Sequence, residues 1–497
     1  MTRRVIIIGA GAGGLAAAIR LSGAGFAVTL LERHAHAGGK MRRVEIGDVE
    51  ISNGPTVCTW RAIAEQLLRD GGAPDAAEGL FLPCDRLARH AWMDGAVLDL
   101  FPDPDRSSVA IRDAFGAREA EGFRRYCEAI RSMTDNLRDS FMLAPRPDPV
   151  SLARRMGLKN PGALLATRPF SRLASELSTF FREPKLIQLF ARYATYVGSS
   201  PFLAPATLMV ISRVEQEGVS IVRGGMPALA SALLAAAERL GADFHPNTHV
   251  RRILMKNGRA SGVELQDGRE LPADIVVFNG DAAALSAPLL GDAPRKAVPP
   301  LPRNKRSLSA ITLCAHAKTS GFPLDYHTVF FGNDYPDEFK AVFDRRSITS
   351  EPTVYICAED RAEGKPKGKE RLFCLINAPP DGDKGDRWLD RDRYPDWLAG
   401  HLGCFGLEVD LAKSKSAITA PEDFNQAFPG AGGALYGAAN HGPFDSFQRP
   451  ASRSAMRGLY LAGGSAHPGP GVPMALISGM LAADAICQDT DVSIPVR

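Results

Sequence analysis

The sequence predicts an α/β fold, with a parallel sheet and its helices in one domain and a mixed α+β arrangement in another. Three stretches lead to this prediction. Residues 3–32 contain a strand, a glycine-rich turn, a helix and a second strand, and residues 275–278 are a further buried strand. Residues 458–486 contain a strand, a glycine- and proline-rich loop and an apolar helix. Strands that alternate with helices in this way are typical of parallel sheets.

The first stretch has the order and spacing of a dinucleotide-binding unit. Residues 5–8 are β-branched, as expected of a buried strand, and Gly9, Gly11 and Gly14 follow in a G-x-G-x-x-G turn. Residues 15–24 predict an alanine-rich helix, and the second strand ends at Glu32. A glycine-rich turn in an unrelated unit would not explain why an acid closes the second strand.

Each part of this unit has a separate physical role. Gly9 permits the tight turn, Gly11 lets a pyrophosphate approach the backbone, and Gly14 lets the helix pack closely on the strand. The free N–H groups at the start of the helix suit the phosphates. Glu32 is placed to accept hydrogen bonds from ribose hydroxyls.

Two further observations favour FAD over NAD. Gly38, Gly39 and Lys40 follow the acid, and such a doublet lies along the flavin in two-dinucleotide-binding-domain flavoproteins, although Gly-Gly is also common in surface turns. The sequence holds no second G-x-G-x-x-G, which an enzyme that reduces its flavin with NAD(P)H usually carries. We therefore expect one FAD, held without a covalent bond.

The C-terminal stretch predicts a second contact with the cofactor. A strand over residues 458–462 leads into the loop 463–473, and Pro473 suits the start of the following helix. The N-terminus of that helix is placed to face the flavin ring and stabilise negative charge on it. His467 is a weak candidate for a catalytic base, because a histidine in a rigid Pro/Gly loop is more often structural.

The middle of the chain is less informative. Residues 171–234 predict a long helical stretch whose Leu, Phe and Tyr side chains belong either to the core or to an apolar substrate tunnel. Residues 243–281 predict short strands with Asn-Gly and Asp-Gly hairpin turns. Residues 381–394 are highly charged and predict a solvated loop and helix.

Composition excludes several classes of protein. The 497 residues, 45% hydrophobic and 23% charged, are enough for two or more globular domains. A net charge of +3 argues against a dedicated nucleic-acid-binding protein. The eight cysteines form no C-x-x-C pair, so we predict no metal site and a reducing, cytoplasmic location. The apolar run over residues 5–19 is too short to span a membrane.

Motifs at both ends of the chain resemble the bacterial carotenoid desaturases, a family similar to phytoene desaturase. They are the N-terminal fingerprint, Gly38-Gly39-Lys40, Gly54-Pro55-Thr56-Val57 and the glycine- and proline-rich residues 462–473. The run after Gly-Pro-Thr lacks the family's usual Asp-Pro, and Gly463-Gly464-Ser465-Ala466 replaces its usual Gly-Ala-Gly-Thr. Both departures are similar to the hydroxyneurosporene desaturase branch, also called 1-hydroxycarotenoid 3,4-desaturases or methoxyneurosporene dehydrogenases.

The motifs and the resemblance together imply a two-dinucleotide-binding-domain flavoprotein. Its Rossmann-like FAD domain is discontinuous, over residues 1–80, 222–290 and 452–497, and a mixed α+β substrate domain near the membrane covers residues 81–221 and 291–451. The expected FAD-binding residues are Gly9, Ala10, Gly11, Gly14, Glu32, Arg33, Gly39, Lys40, Gly54, Pro55, Thr56, Val57, Val250, Gly463, Gly464, Val472 and Pro473.

The resemblance also implies the reaction. An acyclic 1-hydroxy- or 1-methoxycarotenoid loses a hydride to the flavin and a proton from its 3,4 bond, in spheroidene- or spirilloxanthin-type biosynthesis. The electron acceptor, oxygen or a quinone, stays open, as does the oligomeric state. The alternatives are phytoene desaturase or another carotenoid oxidoreductase, an amine-oxidase-like flavoenzyme, and a flavin-free lipid-binding escort protein.

A substrate that resides in the bilayer implies peripheral contact with the cytoplasmic side of the inner membrane. Between residues 146 and 172 one acid, Asp148, stands among apolar side chains and six cations: Arg146, Arg154, Arg155, Lys159, Arg168 and Arg172. Such a segment suits the headgroup layer of an anionic membrane, although a solvated basic surface is the commoner reason for this composition.

Overall fold

The computed structural model describes residues 2–156, 166–364, 366, 368–386, 388–411 and 413–493. The strands are, in chain order, β1 (Arg4–Ile8), β2 (Ala27–Leu31), β3 (Arg43–Ile46), β4 (Val49–Ser52), β5 (Cys58–Thr59), β6 (Phe81–Pro83), β7 (Ala88–Trp92), β8 (Val97–Leu100), β9 (Val219–Val222), β10 (Asp243–His245), β11 (Val250–Lys256), β12 (Arg259–Leu265), β13 (Glu270–Pro272), β14 (Ile275–Phe278), β15 (Ser309–Gly321), β16 (His327–Phe331), β17 (Val354–Ala358), β18 (Lys369–Ala378), β19 (Leu407–Val409), β20 (Ser416–Thr419) and β21 (Leu459–Leu461).

The α-helices of the described residues pack around these strands, and short 3-10 and π-helical turns connect several of them. They are α1 (Ala12–Gly23), α2 (Arg61–Asp70), α3 (Pro74–Glu78), α4 (Pro104–Phe115), α5 (Ala117–Leu137), α6 (Pro149–Arg155), α7 (Leu173–Leu177), α8 (Pro184–Ala191), α9 (Val210–Gln216), α10 (Met226–Arg239), α11 (Ala283–Ser286), α12 (Tyr335–Lys340), α13 (Tyr394–Gly403), α14 (Pro421–Ala427), α15 (Asp445–Gln448) and α16 (Val472–Thr490).

The first main sheet is parallel throughout, with the strand order β10-β2-β1-β14-β21. Its centre is β1, whose residues Val5, Ile6 and Ile7 are buried as their β-branched side chains predict. Helices α1, α10 and α16 pack against it. Helix α1 ends at Gly23, just before Gly25, whose φ of 86° is one that glycine adopts readily. The predicted α/β class is confirmed.

The second main sheet is mostly antiparallel, with the order β19-β15-β18-β17-β16-β7-β8 and with β20 also paired to β15. Successive side chains of β18 point to opposite faces. Phe373 joins the core that the sheet shares with α5, α8 and α9, whereas Cys374 joins the core that it shares with α13. One face of this sheet therefore packs against α5, α8 and α9.

The two sheets draw on different parts of the chain. The parallel sheet uses residues 4–31, 243–245, 275–278 and 459–461, and the second sheet uses residues 88–100 and 309–419. This distribution supports the discontinuous division into two domains, which we keep as a proposal. No helix in the described ranges has the length and hydropathy needed to cross a membrane.

Two local predictions are wrong. Residues 219–222, inside the predicted helical stretch, form β9, because Gly218 has a φ of 122° and the β-branched residues that follow pair with β5 and β6. Residues 381–394 are not uniformly solvated. Asp381 and Asp386 are buried, where Asp381 accepts a hydrogen bond of 2.6 Å from Arg303 and Asp386 accepts one of 2.8 Å from the N–H of Glu422.

Candidate cofactor and substrate site

A large cavity of about 770 Å³ lies at the carboxyl ends of the parallel strands. Gly9 after β1, Glu32 after β2 and Asn279 after β14 line one part of it. The cavity continues between the second sheet and the helices, where residues such as Leu208 and Phe373 line it. Parallel α/β folds bind ligands at this edge of the sheet, because the loops there diverge and leave a crevice.

The structure brings most of the predicted FAD-binding residues together around this cavity. Those that line it are Gly9, Gly11, Glu32, Arg33, Gly39, Lys40, Gly54, Pro55, Thr56, Val57, Val250, Gly463, Gly464, Val472 and Pro473. Ala10 and Gly14 lie behind the lining. The N–H of Ala10 donates to Glu32 Oε2 at 2.8 Å, and a Cβ on Gly14 would lie 2.1 Å from the carbonyl oxygen of Gly9.

The glycine-rich turn forms a narrow backbone cradle at the start of α1. Gly9 has a φ of 97°, which favours glycine. A Cβ on Gly39 would lie 3.2 Å from the Cα of Gly11, and a Cβ on Gly11 would lie 3.1 Å from Asn279 Nδ2. The first N–H groups of a helix have no partner within it. This cradle therefore fits a pyrophosphate, which would occupy the space that side chains would fill.

Glu32 is buried beside this cradle, and backbone groups fix its carboxylate. Oε2 accepts from the N–H of Ala10 at 2.8 Å, and Oε1 accepts from the N–H of His34 at 2.9 Å. A carboxylate has about four acceptor positions, so two of them remain for ribose hydroxyls. Val250 and Arg33 line the cavity at the same end. The residues present thus fit the adenosine half of FAD.

A lysine and an aspartate, Lys40 and Asp281, also line the cavity. Lys40 Nζ donates to the carbonyl of Leu435 at 2.5 Å. Burial lowers the pKa of Lys40 and raises the pKa of Asp281, and each charge opposes the shift of the other. The N-terminus of α16, at Val472 and Pro473, lines the cavity as well. A helix N-terminus at this place fits the part of a flavin that gains negative charge on reduction.

His467 does not line the cavity, and its ring packs against residues that do. It is buried, with Nε2 2.9 Å from the carbonyl oxygen of Ala144, and its ring meets that of Phe141 edge to face at a centroid distance of 5.0 Å. Burial lowers the pKa of His467 to about 4, so the ring is neutral at neutral pH. These contacts support a structural role for His467, because they hold in place the segment that brings Phe141 to the cavity wall.

Asn279 and Tyr355 are among the residues of the site that were not predicted from the sequence. Asn279 follows β14, whose carboxyl end lies beside that of β1, so its place after a buried strand was a usable signal. Tyr355 lines the cavity, and its hydroxyl lies 2.6 Å from Thr56 Oγ1 and 2.6 Å from His327 Nδ1. No local pattern marks Tyr355, because the residue it contacts in the Gly-Pro-Thr motif is about 300 positions earlier.

The second part of the cavity is mostly apolar. Residues of the predicted helical stretch belong partly to the core and partly to the wall of the cavity. Phe181 and Phe190 stack on one another in the core, with centroids 5.0 Å apart. Leu208, Ile211 and Val214 line the cavity, together with Leu137, Phe141, Met142, Leu152, Val197, Val329, Phe373 and Leu375. Such a wall suits a long apolar molecule.

In the described part of the chain, no three His, Cys, Asp or Glu side chains are grouped to hold a metal ion.

Comparison with known proteins identifies the family. Residues 12–487 match the family described as flavin containing amine oxidoreductase. The chain is 44% identical to the hydroxyneurosporene desaturase of Rubrivivax gelatinosus, over 99% of this chain and 94% of that protein. The chain belongs to the carotenoid desaturases of this flavoenzyme family.

A further relative agrees with this membership, and a solved structure has a similar fold. This carotenoid desaturase is 31% identical to the 1-hydroxycarotenoid 3,4-desaturase of a Flavobacterium species, over 97% of this chain and 99% of that protein. Its fold is similar to that of wild-type putrescine oxidase, with a TM-score of 0.62 and 16% identity over 98% of this chain and 99% of that one. The predicted family, the two-dinucleotide-binding-domain fold and the FAD cofactor are confirmed.

Proposed function

We propose that this carotenoid desaturase introduces a 3,4 double bond into an acyclic 1-hydroxy- or 1-methoxycarotenoid. Its membership among the carotenoid desaturases and the names of its relatives support this substrate class. One structural observation carries the proposal: the residues that fit FAD and a long apolar wall line the same cavity. A polyene on that wall is in the same space as the cofactor.

The residues of the cavity bind the cofactor, hold the polyene away from water, and favour negative charge at the start of α16. Bound FAD supplies the hydride acceptor that removal of two hydrogens from a C–C bond requires. The cradle around Gly11 and the carboxylate of Glu32 bind and orient the cofactor. Leu208, Ile211 and Phe373 hold the polyene and exclude water from it. The helix dipole of α16 favours negative charge at its N-terminus.

The substrate is proposed to enter from a membrane surface at one end of the cavity. Phe170 and Phe444 line the cavity there, with their side chains 73% and 49% exposed and their ring centroids 6.1 Å apart. Val150 is 67% exposed in α6, next to Pro149, which also lines the cavity. Exposed aromatic and branched side chains beside a cavity opening support contact with the apolar part of a bilayer.

The basic segment, residues 146–172, has fewer cations that are free to contact lipid headgroups than its composition predicts. Arg146 donates to the carbonyl of Phe447 at 2.8 Å, and Arg155 donates to the carbonyl of Pro145 at 2.9 Å. Arg168 forms an ion pair with the buried Glu176. Arg154 and Arg172 are exposed, and Lys159 lies outside the described residues. Arg154 is therefore the cation of α6 that is best placed to meet an anionic headgroup.

The activity is tested with the purified flavin-containing protein and liposomes that hold an acyclic 1-hydroxycarotenoid. The expected product has one more conjugated double bond, so its absorption maximum moves to longer wavelength, and mass spectrometry shows the loss of two hydrogens. Oxygen and a quinone are compared as electron acceptors in parallel reactions. Desaturation of phytoene with no reaction of the hydroxylated substrate would instead favour a phytoene desaturase.

A further inference from the structure

Arg192 and Tyr335 are buried polar side chains in the wall of the cavity. Arg192 begins the 3-10 turn after α8, and Tyr335 begins α12 after β16. Each residue is 6% exposed, and both line the cavity. Arg192 approaches it from the helices, and Tyr335 approaches it from the helix that follows strand β16 of the second sheet. The neighbouring wall is mostly apolar, so they form a polar position within it.

Most donors of the Arg192 guanidinium lack a protein partner. Nη1 donates to the hydroxyl of Tyr196 at 3.1 Å, and no other hydrogen bond from this side chain exists among the described residues. Nε is buried without a partner. A guanidinium carries five N–H donors and stays charged in proteins. Burial of such donors without an acceptor costs free energy, so a bound group that accepts from them is expected.

The nearby carboxylate is already used by other residues. Glu215 accepts from the hydroxyl of Tyr193 at 2.8 Å and from the hydroxyl of Tyr196 at 2.6 Å. Among the described residues Arg192 forms no ion pair, and its guanidinium lies over the rings of Tyr193 and Tyr196, 5.3 and 5.2 Å from their centroids. The carboxylate of Glu215 favours this positive charge from beyond the hydroxyl of Tyr196, which lies between the two groups. An oxygen atom of a ligand is free to accept from the guanidinium without displacing an ion pair.

The hydroxyl of Tyr335 also has no partner, although it is buried. Burial raises the pKa of Tyr335 well above its usual range, so the phenol keeps its proton and offers one donor. Arg192 is close enough for its charge to oppose that rise. Gln188, four residues before Arg192, donates a hydrogen bond of 2.8 Å to the carbonyl of Gly332, three residues before Tyr335. The unpaired donors of both side chains therefore lie in one region of the cavity.

We propose that Arg192 and Tyr335 bind the oxygen atom at the hydroxylated or methoxylated end of the substrate. The inference rests on the proposed function and deepens it, because it assigns the choice of end group to two residues. A 1-hydroxycarotenoid carries this oxygen only a few bonds from its 3,4 bond. Binding the oxygen fixes the position of that bond in the cavity, and the polyene extends along the apolar wall. A hydrocarbon of the same length leaves the donors unpaired, which is how such sites reject analogues.

The experiment compares two substrates, an acyclic 1-hydroxycarotenoid and the same polyene without the hydroxyl, in identical detergent micelles. The measured quantity is the ratio of their kcat/KM values for wild type, Tyr335→Phe and Arg192→Met. Each variant is expected to lower kcat/KM for the hydroxylated substrate by ~10-fold or more, mainly through KM, because a buried hydrogen bond is lost. The value for the hydrocarbon is expected to stay near that of wild type, so the ratio falls.

Tyr193→Phe is the matched control. It removes a buried hydroxyl from the same cluster, but Tyr193 does not line the cavity. We expect it to keep the wild-type substrate ratio. Tyr335→Phe removes a hydroxyl that has no partner, so its Tm and its flavin content are expected to equal or exceed those of wild type. Tyr335→Phe therefore tests the inference even if Arg192→Met does not fold.

The outcomes separate the inference from the proposed function. Wild type that prefers the hydroxylated substrate, with variants that keep this preference, would overturn the assignment to Arg192 and Tyr335. If Tyr193→Phe also loses the preference, the assignment is overturned, because disruption of the cluster would then be the cause. Wild type that ignores the hydroxylated substrate would refute the proposed function, and the inference with it.

Discussion

Asn279 Nδ2 donates a hydrogen bond of 2.9 Å to the carbonyl oxygen of Gly9. This contact joins the end of β14 to the glycine-rich turn after β1. The amide side chain of Asn279 fills the space that the glycines leave open. A Cβ on Gly13 would lie 2.6 Å from its Oδ1, and a Cβ on Gly14 would lie 2.8 Å from its Nδ2. Asn279 therefore holds the turn in the shape that fits a pyrophosphate.

Asn279→Ala is expected to weaken FAD binding. The partly buried carbonyl of Gly9 loses its donor. An unpaired acceptor costs about 1–3 kcal/mol, which corresponds to a rise of roughly 5- to 150-fold in the Kd for FAD. The measurement is a titration of the flavin-free protein with FAD. Asn304→Ala, at an exposed position in a short turn, is the control and is expected to bind like wild type. Equal Kd values for both variants would show that the turn keeps its shape without Asn279.

Gly11→Val is expected to yield a protein without flavin. A side chain here would occupy the cradle, where even a Cβ would lie 3.1 Å from Asn279 Nδ2. Gly79→Val is the matched control, because Gly79 is exposed, has a φ of −94° and has nothing within 4 Å of the added Cβ. The absorbance of oxidised flavin per chain is measured after purification, and circular dichroism checks folding. A Gly11→Val protein with a full complement of flavin would place the cofactor elsewhere.

The fold and the cofactor end of the site were predictable because their signals are local. The strand, turn, helix and acid that place Gly9, Gly11 and Glu32 lie within one unit of 32 residues, and their spacing follows from backbone geometry. The helix at Val472 was similarly marked by Pro473 and the glycine-rich loop before it.

The substrate end could not be predicted in the same way. Arg192, Tyr335 and Tyr355 meet the cavity only because a helical layer and a distant sheet pack together, and none of them lies in a local pattern. The wrong helical prediction at residues 219–222 has a related cause. The strand there exists because β5 and β6, which precede it by more than 130 residues, offer it partners.

Acid is expected to destabilise the protein partly through His467. The pKa of this buried ring is lowered from 6.5 to about 4, so the unfolded chain takes up a proton at a higher pH than the folded chain does. The stabilisation is fully present above pH 6.5 and is lost as the pH falls from 6.5 toward 4. Burial also lowers the pKa of His90 and His327, to about 3 in each case, and so acts in the same direction.

His467→Gln tests this linkage. The free energy of unfolding is measured with denaturant at pH 7 and pH 5, where one such histidine contributes a loss of about 2 kcal/mol. The variant is expected to show a smaller loss than wild type by about this amount. His36→Gln, at an exposed position, is expected to leave the difference between the two pH values unchanged. An identical loss in wild type and His467→Gln would mean that other groups account for the acid sensitivity.

The cavity opening gives the last prediction. The triple variant Arg154→Glu, Phe170→Ser and Phe444→Ser is expected to lose most of its binding to anionic liposomes in a sedimentation assay. Each buried aromatic ring contributes about 1.5–3 kcal/mol, and a cation near an anionic surface about 1 kcal/mol. Arg155 and Arg168 are left unchanged, because their contacts with Pro145 and Glu176 hold the chain itself.

The variant separates membrane contact from catalysis. Its flavin content is expected to match wild type, and its activity is expected to fall on substrate in liposomes but not on substrate in detergent micelles. Trp388→Ser is the control, since Trp388 is 37% exposed and does not line the cavity. If the triple variant sediments with liposomes as wild type does, another surface makes the contact. If activity falls equally in micelles and liposomes, Phe170 and Phe444 act on the bound substrate and not on its entry from the bilayer.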